Sequence, residues 1–223
     1  MKISIAIPAF NSAKYNGVEF LIDLLESIKE QSYKNYEVVI SDHSDNYGIF
    51  DIFKQYKDLL DIKYLRNPNS KGNISQNTNN AILNCGGDVV KVMHVDDKFC
   101  NKNTLQFIID SLKNNPEKNW GVCGCNHSYN KEPVRNVLIP YYGWTGNPST
   151  SFFKRDKENL ILYNETYKYL LDAEFHKFLR KKYDDPILIK EQCITINMHS
   201  EQASKYLIKF HAEEKEKIKT INR

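Results

Sequence analysis

Ile3, Ile5 and Ile7 alternate with small residues in the period-two pattern of a strand, and Pro8 is expected to end it. Across residues 18–31, Leu21, Leu24, Leu25 and Ile28 recur at helical spacing. Glu37-Val38-Val39-Ile40 reads as a second, buried strand. Phe50, Phe53 and Tyr56 mark an amphipathic helix, and Ile62-Lys63-Tyr64-Leu65 a third strand. The segment from Asn67 to Gly72 is rich in turn formers, and residues 74–83 predict a helix despite their asparagines. Asp88-Val89-Val90-Lys91-Val92-Met93 has the branched, aliphatic character of a fourth strand buried on both faces. Strands alternating with helices imply an α/β, Rossmann-related fold: a mixed, mainly parallel sheet flanked by crossover helices.

Beyond about residue 120 the pattern loosens. Trp120-Gly121-Val122-Cys123-Gly124-Cys125 reads as a strand, followed by a loop through Pro133 and Pro140 and then Trp144-Thr145-Gly146-Asn147-Pro148. Leu170, Phe175, Phe178 and Leu179 form an apolar stripe at helical spacing near Asp172, and residues 187–198 hold one or two short strands. From Glu201 a helix places Tyr206, Leu207 and Phe210 on one face and ends in the charged run Glu213-Glu214-Lys215-Glu216-Lys217. A solvated terminal helix is the simpler reading, with docking on a membrane or a second subunit as the alternative. The expectation is one domain over residues 1–200 and a charged C-terminal helical extension over 201–223.

With 223 residues the chain can bury one sizeable core. Its 31 basic and 28 acidic residues leave a net charge of only +3, so a surface made for nucleic acid is not expected. The chain shows no basic n-region followed by an apolar h-region and no apolar run of bilayer length, so the reading is a soluble, cytoplasmic protein. The five cysteines, at 85, 100, 123, 125 and 193, lack paired CxxC spacing, and structural zinc is not expected. Cys123 and Cys125 would share one face of their strand as small core residues.

In sheets of this class, ligands sit beyond the carboxyl ends of the strands. Those ends here are Pro8-Ala9-Phe10-Asn11, Ser41-Asp42-His43-Ser44 and, after the fourth strand, Asp96-Asp97. Adjacent carboxylates disfavour one another's ionisation unless a cation or hydrogen-bond donors compensate. A divalent metal is the simplest compensation, since Mg²⁺ takes one or two carboxylates plus the phosphate oxygens of a substrate. The pair therefore points to nucleoside-diphosphate chemistry. The alternative is that Asp96 and Asp97 cap the helix starting near Asn101, which needs only one acid.

Several motifs together resemble the inverting family 2 glycosyltransferases of the GT-A fold. Ile5-Ala6-Ile7-Pro8-Ala9-Phe10-Asn11 is similar to the family's opening strand and loop. The run from Ser27 to Asp42 resembles "S-I-x-x-Q-x-Y-x-N-x-E-[VI]-[VI]-[VI]-x-D", and Gly72, Asn79 and Gly86-Gly87-Asp88 resemble "G…N…A-x-G-[DE]". Asp96 and Asp97 fall where the DXD-type carboxylates belong. The likeness is strong to about residue 100 and weaker after it. Two departures stand out: His94 occupies a position where an acid is common, and Thr78 one where a basic residue often precedes the matching Asn79, with Lys71 or Lys98 as substitutes.

The resemblance implies roles. Residues 1–100 would bind the nucleotide-sugar through Pro8, Ala9, Phe10, Asn11, Asp42, Gly72, Asn79 and Asp96, with Asp42 accepting from a base such as uracil. Asp42 would equally serve as a helix N-cap or Asx-turn. Asp97, with a late His199, would hold a divalent metal, Mn²⁺ or Mg²⁺. Residues 101–200 would take the acceptor, with Trp144, Asn147, Thr150 and Phe152 lining its place, although Phe152 and Phe153 would also suit the core. Asp172 resembles the family's "x-D-x-x-[FW]" general base, with Glu174, Glu165 and Asp156 as rivals and an N-cap role compatible with it.

The implied reaction moves a sugar from a nucleotide-diphosphate sugar, foremost a UDP-sugar, to a hydroxyl of a glycan, lipid-linked or other acceptor, as in polysaccharide biosynthesis, with metal-assisted departure of the nucleoside diphosphate. The competing readings are a sugar-nucleotide nucleotidyltransferase and a catalytically silent module that binds nucleotide-sugar or glycan. The lack of a glycine-rich, basic N-terminal loop argues against the first. Peripheral membrane contact and a homo-oligomer stay open at this point.

Overall fold

A computed structural model describes residues 1–70, 72–129, 133–134 and 147–220. The strands are β1 (Ile3–Ala9), β2 (Tyr36–Asp42), β3 (Ile62–Arg66), β4 (Val89–Val92), β5 (Lys98–Phe99), β6 (Trp120–His127), β7 (Pro133–Val134), β8 (Ser151–Lys154) and β9 (Ile187–Ile196). The helices are α1 (Gly17–Lys29), α2 (Gly48–Tyr56), α3 (Ile74–Leu83), α4 (Thr104–Asn114), α5 (Leu171–Tyr183), α6 (Ala203–Leu207) and α7 (His211–Thr220). The strands form one mixed sheet in the order β3-β2-β1-β4-β8-β6-β9-β5, with β7 paired to β6. β3, β2, β1 and β4 run parallel, as the alternation of strands and helices predicts, and β8 enters antiparallel between β4 and β6.

The period-two pattern of β1 sets the layers. Ile3, Ile5 and Ile7 face a core built with Leu21, Leu24, Leu25 and Ile28 of α1, Ile49 and Ile52 of α2, and Leu105, Ile108 and Ile109 of α4. Ala6, Val39, Val90 and Val92 face the other side, against Ala81 and Ile82 of α3 and Leu171, Phe175 and Leu179 of α5. Cys123 and Cys125 lie together in the first core, and Phe152 is fully buried there rather than at a ligand surface.

One local difference from the sequence reading has a physical cause. β1 does not stop at Pro8 but runs through it to Ala9, paired with Ser41 and Asp42. The Ala9 carbonyl accepts from His43 on the β2 side, so the Pro8 nitrogen faces the other way, where pairing with β4 has already ended at Ala6 and Val92. No ladder bond is lost by the missing N–H. Of the one or two strands expected near residues 187–198, the structure has one, Ile187–Ile196, which accommodates β6 through register shifts around Gly124.

The C-terminal extension is not a solvated appendage. α7 buries Ile218 in the second core and inserts the carboxylate of Glu214 under the start of α5. Glu214 accepts from the backbone N–H groups of Lys168 (2.7 Å), Tyr169 (3.0 Å) and Leu170 (2.8 Å). α5 has no side-chain N-cap of its own, so a carboxylate from a distant helix meets the N–H of its N-cap residue Leu170 and of the two residues before it, and complements its dipole. The boundary expected at residue 200 therefore does not separate an independent unit.

Glu214→Ala should lower stability by about 2–3 kcal/mol in urea unfolding, as hydrogen bonds to a buried charge are removed. A loss below about 0.5 kcal/mol would show that the cap contributes no more than an ordinary surface group. His176 gives a second test. It is fully buried, bonded to Ser151 Oγ at 2.6 Å, and burial pushes its pKa down to about 3. The unfolded imidazole titrates near 6.5, so unfolding takes up a proton, and stability present above about pH 6.5 is lost on acidification toward pH 3. His176→Gln should flatten the stability–pH slope between pH 6 and 4 by roughly 1.4 kcal/mol per pH unit. An unchanged slope would contradict it.

Candidate functional site

At the carboxyl ends of β1 and β2 the buried polar groups satisfy one another. Asn77, on the inner face of α3 and fully buried, donates to the carbonyls of Ala9 (3.2 Å) and Ser41 (2.9 Å). Its oxygen accepts from Ser41 Oγ at 2.7 Å and from Asn67 and Ser70 at 3.3 Å each. Asn80 adds a bond to Ser41 Oγ at 2.8 Å, and Asn73 caps the helix by accepting from the Gln76 N–H at 3.0 Å. Residues of poor helix propensity thus form a regular helix because their amides are needed where it meets the strand ends.

Asp42 belongs to the same layer. One oxygen accepts from the backbone N–H of Ser44 at 2.8 Å and from its hydroxyl; the other accepts from Tyr64 at 2.7 Å and Arg66 at 2.8 Å. The carboxylate is fully buried, and the partly exposed Arg66 supplies its counter-charge. The loop after β1 is tied in as well: Asn11 accepts from Val18 N at 3.3 Å and donates to Asn46 at 3.0 Å. Gly17 lets that loop close, since a Cβ there would lie 1.7 Å from the Phe10 carbonyl oxygen.

Above this layer lies a cavity of about 470 Å³, walled by Pro8, Phe10, Tyr15, His43, Gly72, Asn77 and Asp96 and roofed by Ala203, Tyr206 and Leu207 of α6. Phe10 and His43 meet edge to face with ring centres 5.1 Å apart. Gly72 has φ +76, a left-handed conformation that suits glycine, and no atom lies within 4 Å of where its Cβ would be. A second cavity of about 320 Å³ adjoins the first, and both share Ile74, His94, Asp96, Ala203 and Leu207. Asp97, Asn147, Lys168, Tyr169 and Asp172 line the second cavity alone.

The acidic pair sits at this junction with distinct environments. Asp96 receives Nε2 of His199 at 3.0 Å, and the His199 ring packs against Phe20 and Tyr15. Asp97 accepts from the Asn197 N–H at 3.1 Å and from Ser149, and burial, reinforced by the Asp96 charge, pushes its carboxyl well above the usual range. Ser149 Oγ also accepts from the His94 N–H at 2.9 Å, and the Ser149 carbonyl receives the ammonium of the fully buried Lys91. Nε2 of His94 is buried without a hydrogen-bond partner among the described residues, and burial lowers the pKa of its imidazole. Among the described residues no three His, Cys, Asp or Glu side chains group as a metal cage. A cation here would rest on Asp97 and Asp96 with its remaining ligands from substrate oxygens, the mode Mg²⁺ favours.

Of the residues that sequence reasoning assigned to the nucleotide-sugar, Pro8, Phe10, Gly72 and Asp96 line the larger cavity. Ala9, Asn11 and Asp42 lie behind its wall, their polar groups bonded within the protein. Asn79 is turned away: it donates to the Tyr163 carbonyl (2.9 Å) and Glu165 (3.0 Å) and accepts from Tyr163 N–H (2.8 Å), holding the chain before α5. Asn77, two positions earlier, is the asparagine that reaches the cavity. Asn147 lines the smaller cavity, whereas the Thr150 hydroxyl is fully buried and donates to the Asn147 carbonyl at 2.7 Å. Trp144 and Lys71 lie outside the described residues.

Among the acids considered as bases, Asp172 lines one of these two cavities and the others line neither; Glu165 holds Asn79, Asp156 caps its own turn at 158–159, and Glu174 is buried in α5. Asp172 sits inside the first turn of α5 and accepts from the Ala173 N–H at 2.9 Å. Sequence reasoning assigned no role to His43 or Tyr15, and read the face of Tyr206 and Leu207 as solvated or as a docking surface rather than as part of this site. His43 carried a signal, since it lies in the exit segment of β2; the roof carried none, because its place over the cavities depends on tertiary contacts.

Comparison with known proteins agrees with this architecture. Poly(ribitol-phosphate) β-N-acetylglucosaminyltransferase TarS of Staphylococcus aureus is 29% identical over 108 residues, covering 48% of this chain and 18% of TarS. The crystal structure of TarS residues 1–349 with UDP-GlcNAc superposes with a TM-score of 0.75 at 18% identity, over 92% of this chain and 61% of that one. The mannosyltransferase PcManGT of Pyrobaculum calidifontis, in complex with GDP-Man and Mn²⁺, gives a TM-score of 0.68 at 16% identity, over 92% of this chain and 59% of that one. The chain therefore spans less than two thirds of each of these relatives, and it shares with both structures the GT-A fold. Because the sequence profile of glycosyl transferase family 2 matches residues 4–188 of the 223, the chain belongs to that family.

Proposed function

We propose that the chain is an inverting glycosyltransferase domain that takes a UDP-sugar in the larger cavity and a hydroxyl acceptor in the smaller one. The observation that carries this reading is the shared wall: Asp96 and His94 border both cavities, while Asp172 borders only the second. A sugar whose nucleotide fills the first cavity would present its anomeric carbon at the junction, with Asp172 on the side from which an acceptor enters. The TarS structure with bound UDP-GlcNAc supports the choice of a uridine donor.

In this mechanism Asp172 accepts the proton of the acceptor hydroxyl as its oxygen attacks the anomeric carbon. The new C–O bond forms as the bond to the diphosphate oxygen breaks on the opposite face, which inverts the configuration. A positioned base of this kind contributes about 10²–10⁴ in rate. The transition state has oxocarbenium character, so nearby carboxylate stabilises it. Asp97 and Asp96, the latter oriented by His199, would hold a divalent cation; when bound, such an ion neutralises charge on the departing diphosphate. Mn²⁺ in the PcManGT structure, which has the same fold, supports a divalent cation as the ion. Burial holds the Asp97 carboxyl toward its neutral form, and a neighbouring cation would favour its charged form.

Steady-state release of UDP from UDP-GlcNAc and other UDP-sugars, with and without Mn²⁺ and with a panel of glycan and polyol acceptors, tests the reading. Asp172→Asn should lower turnover by roughly 10²-fold or more while leaving the dissociation constant of UDP within about twofold. Loss of UDP binding along with turnover would remove Asp172 from the role of base. Tight UDP-sugar binding by the unaltered protein with no transfer or hydrolysis across the panel would identify a binding module instead.

A further inference from the structure

We propose that Glu214 is a positioning residue for the transfer step, holding residues 168–170 and through them the base Asp172 and the wall of the acceptor cavity. This rests on the reading of Asp172 as the base and adds α7 to the machinery that serves it. No helix or strand spans residues 155–170, so that stretch has no hydrogen-bond ladder of its own and takes its shape from its neighbours. Yet it leads directly into the acceptor wall, where Lys168, Tyr169, Leu171 and Asp172 all line the smaller cavity.

Two helices supply the missing partners. α3 holds residues 163–167: Asn79 brackets Tyr163, Asn73 donates to the Glu165 carbonyl at 3.2 Å, and Ser75 donates to the Tyr167 carbonyl at 3.1 Å. From Lys168 onward the hold passes to α7 and the turn before it. The buried carboxylate of Glu214 takes the N–H of Lys168 on Oε1 and those of Tyr169 and Leu170 on Oε2. The Lys168 ammonium lies over the Phe210 ring at 4.9 Å, and the Tyr169 ring meets His211 edge to face at 5.5 Å. Three successive amides on one carboxylate fix the backbone where it turns into α5, two residues before Asp172.

Because both oxygens are used, the residue type matters as well as its size. Glutamine has the same shape, but one of its two terminal atoms is a donor. In either orientation its NH₂ group would face an N–H, giving up the bond to Lys168 or the two to Tyr169 and Leu170. The segment must then shift, and misplacing a reacting group by about 1 Å costs on the order of 10² in rate. The larger cavity takes no lining residue from 155–172, so nucleotide binding is spared.

The test is steady-state transfer with the UDP-sugar and acceptor that the panel above identifies. Glu214→Gln should lower kcat/KM for the acceptor by roughly tenfold or more and leave the dissociation constant of UDP within about twofold. Added to Asp172→Asn, it should lower kcat by less than about twofold further, because a residue that acts by placing the base then has nothing left to place. Ile218→Val, which loosens the same helix in the second core without touching residues 168–170, should lower the melting temperature and leave acceptor kinetics unchanged. A full, multiplicative loss on top of Asp172→Asn, or an equal loss in Ile218→Val, would reduce Glu214 to a cap that only stabilises the fold and would overturn the proposal. Unchanged acceptor kinetics in Glu214→Gln, with Asp172→Asn impaired, would overturn this inference alone; Asp172→Asn as fast as the unaltered protein would overturn the base reading beneath it. Hydrogen exchange on the unaltered protein does not depend on any variant's folding. The amides of Lys168, Tyr169 and Leu170 should be protected to the level of α5 although they lie outside every helix and strand, and free exchange at all three would contradict the proposal.

Discussion

The side chain of Asn77 holds together the strand ends on which the site is built. A parallel sheet leaves its last carbonyls pointing into a crevice, where buried polar groups need partners. Asn77 donates to the final carbonyls of β1 and β2, accepts from the hydroxyls of Ser41 and Ser70, and still lines the larger cavity. Leaving buried groups of this kind unmet costs about 1–3 kcal/mol each. One amide thus ties α3 to the ends of β1 and β2 and to the turn at residues 68–70, whose Ser70 carbonyl contacts His43. Shape and chemistry at the cavity floor have a common origin.

The same economy governs charge. The strand exits carry several ionisable groups, and two of the acids have a charged or chargeable partner within the protein: Asp42 with Arg66 and Asp96 with His199. Asp97 and His94 have no counter-charge of this kind: Asp97 is held by Asn197 and Ser149 at the smaller cavity, and His94 lies at the shared wall. One is a buried acid held toward its neutral form, and the other is a neutral imidazole with an unpartnered nitrogen. His94 in place of a third acid lowers the repulsion at this point, so the charge that a cation would have to offset is smaller. Lys91, beneath them, bonds the carbonyls of Ser149 and Ser151 and fixes the segment whose hydroxyl orients Asp97.

Much of the fold was legible because buried parallel strands write themselves as short aliphatic runs. β1 to β4 and α1 to α3 follow from Ile3, Val38, Ile62, Val89 and the helical stripes between them. Motif resemblance named Asp96, Phe10 and Gly72, which line the cavity, and also Asp42 and Asn79, which hold its walls and leave the lining to His43 and Asn77. Which of two neighbouring polar residues faces a ligand depends on side-chain direction, and along α3 a shift of two positions is more than half a turn. The role of the C-terminal extension was illegible for another reason. Glu214 reads as one charge in a solvated run, and its burial under α5, like the place of α6 over both cavities, depends on tertiary contacts alone.

The central claim is that the two cavities meeting at Asp96 are a single donor and acceptor site. The most direct measurement is a crystal structure of the protein with UDP-GlcNAc. It should show the uracil against Phe10 and His43, the diphosphate beside Asp96, and the anomeric carbon turned toward Asp172. Nucleotide bound outside the larger cavity, or a sugar directed away from Asp172, would contradict the account.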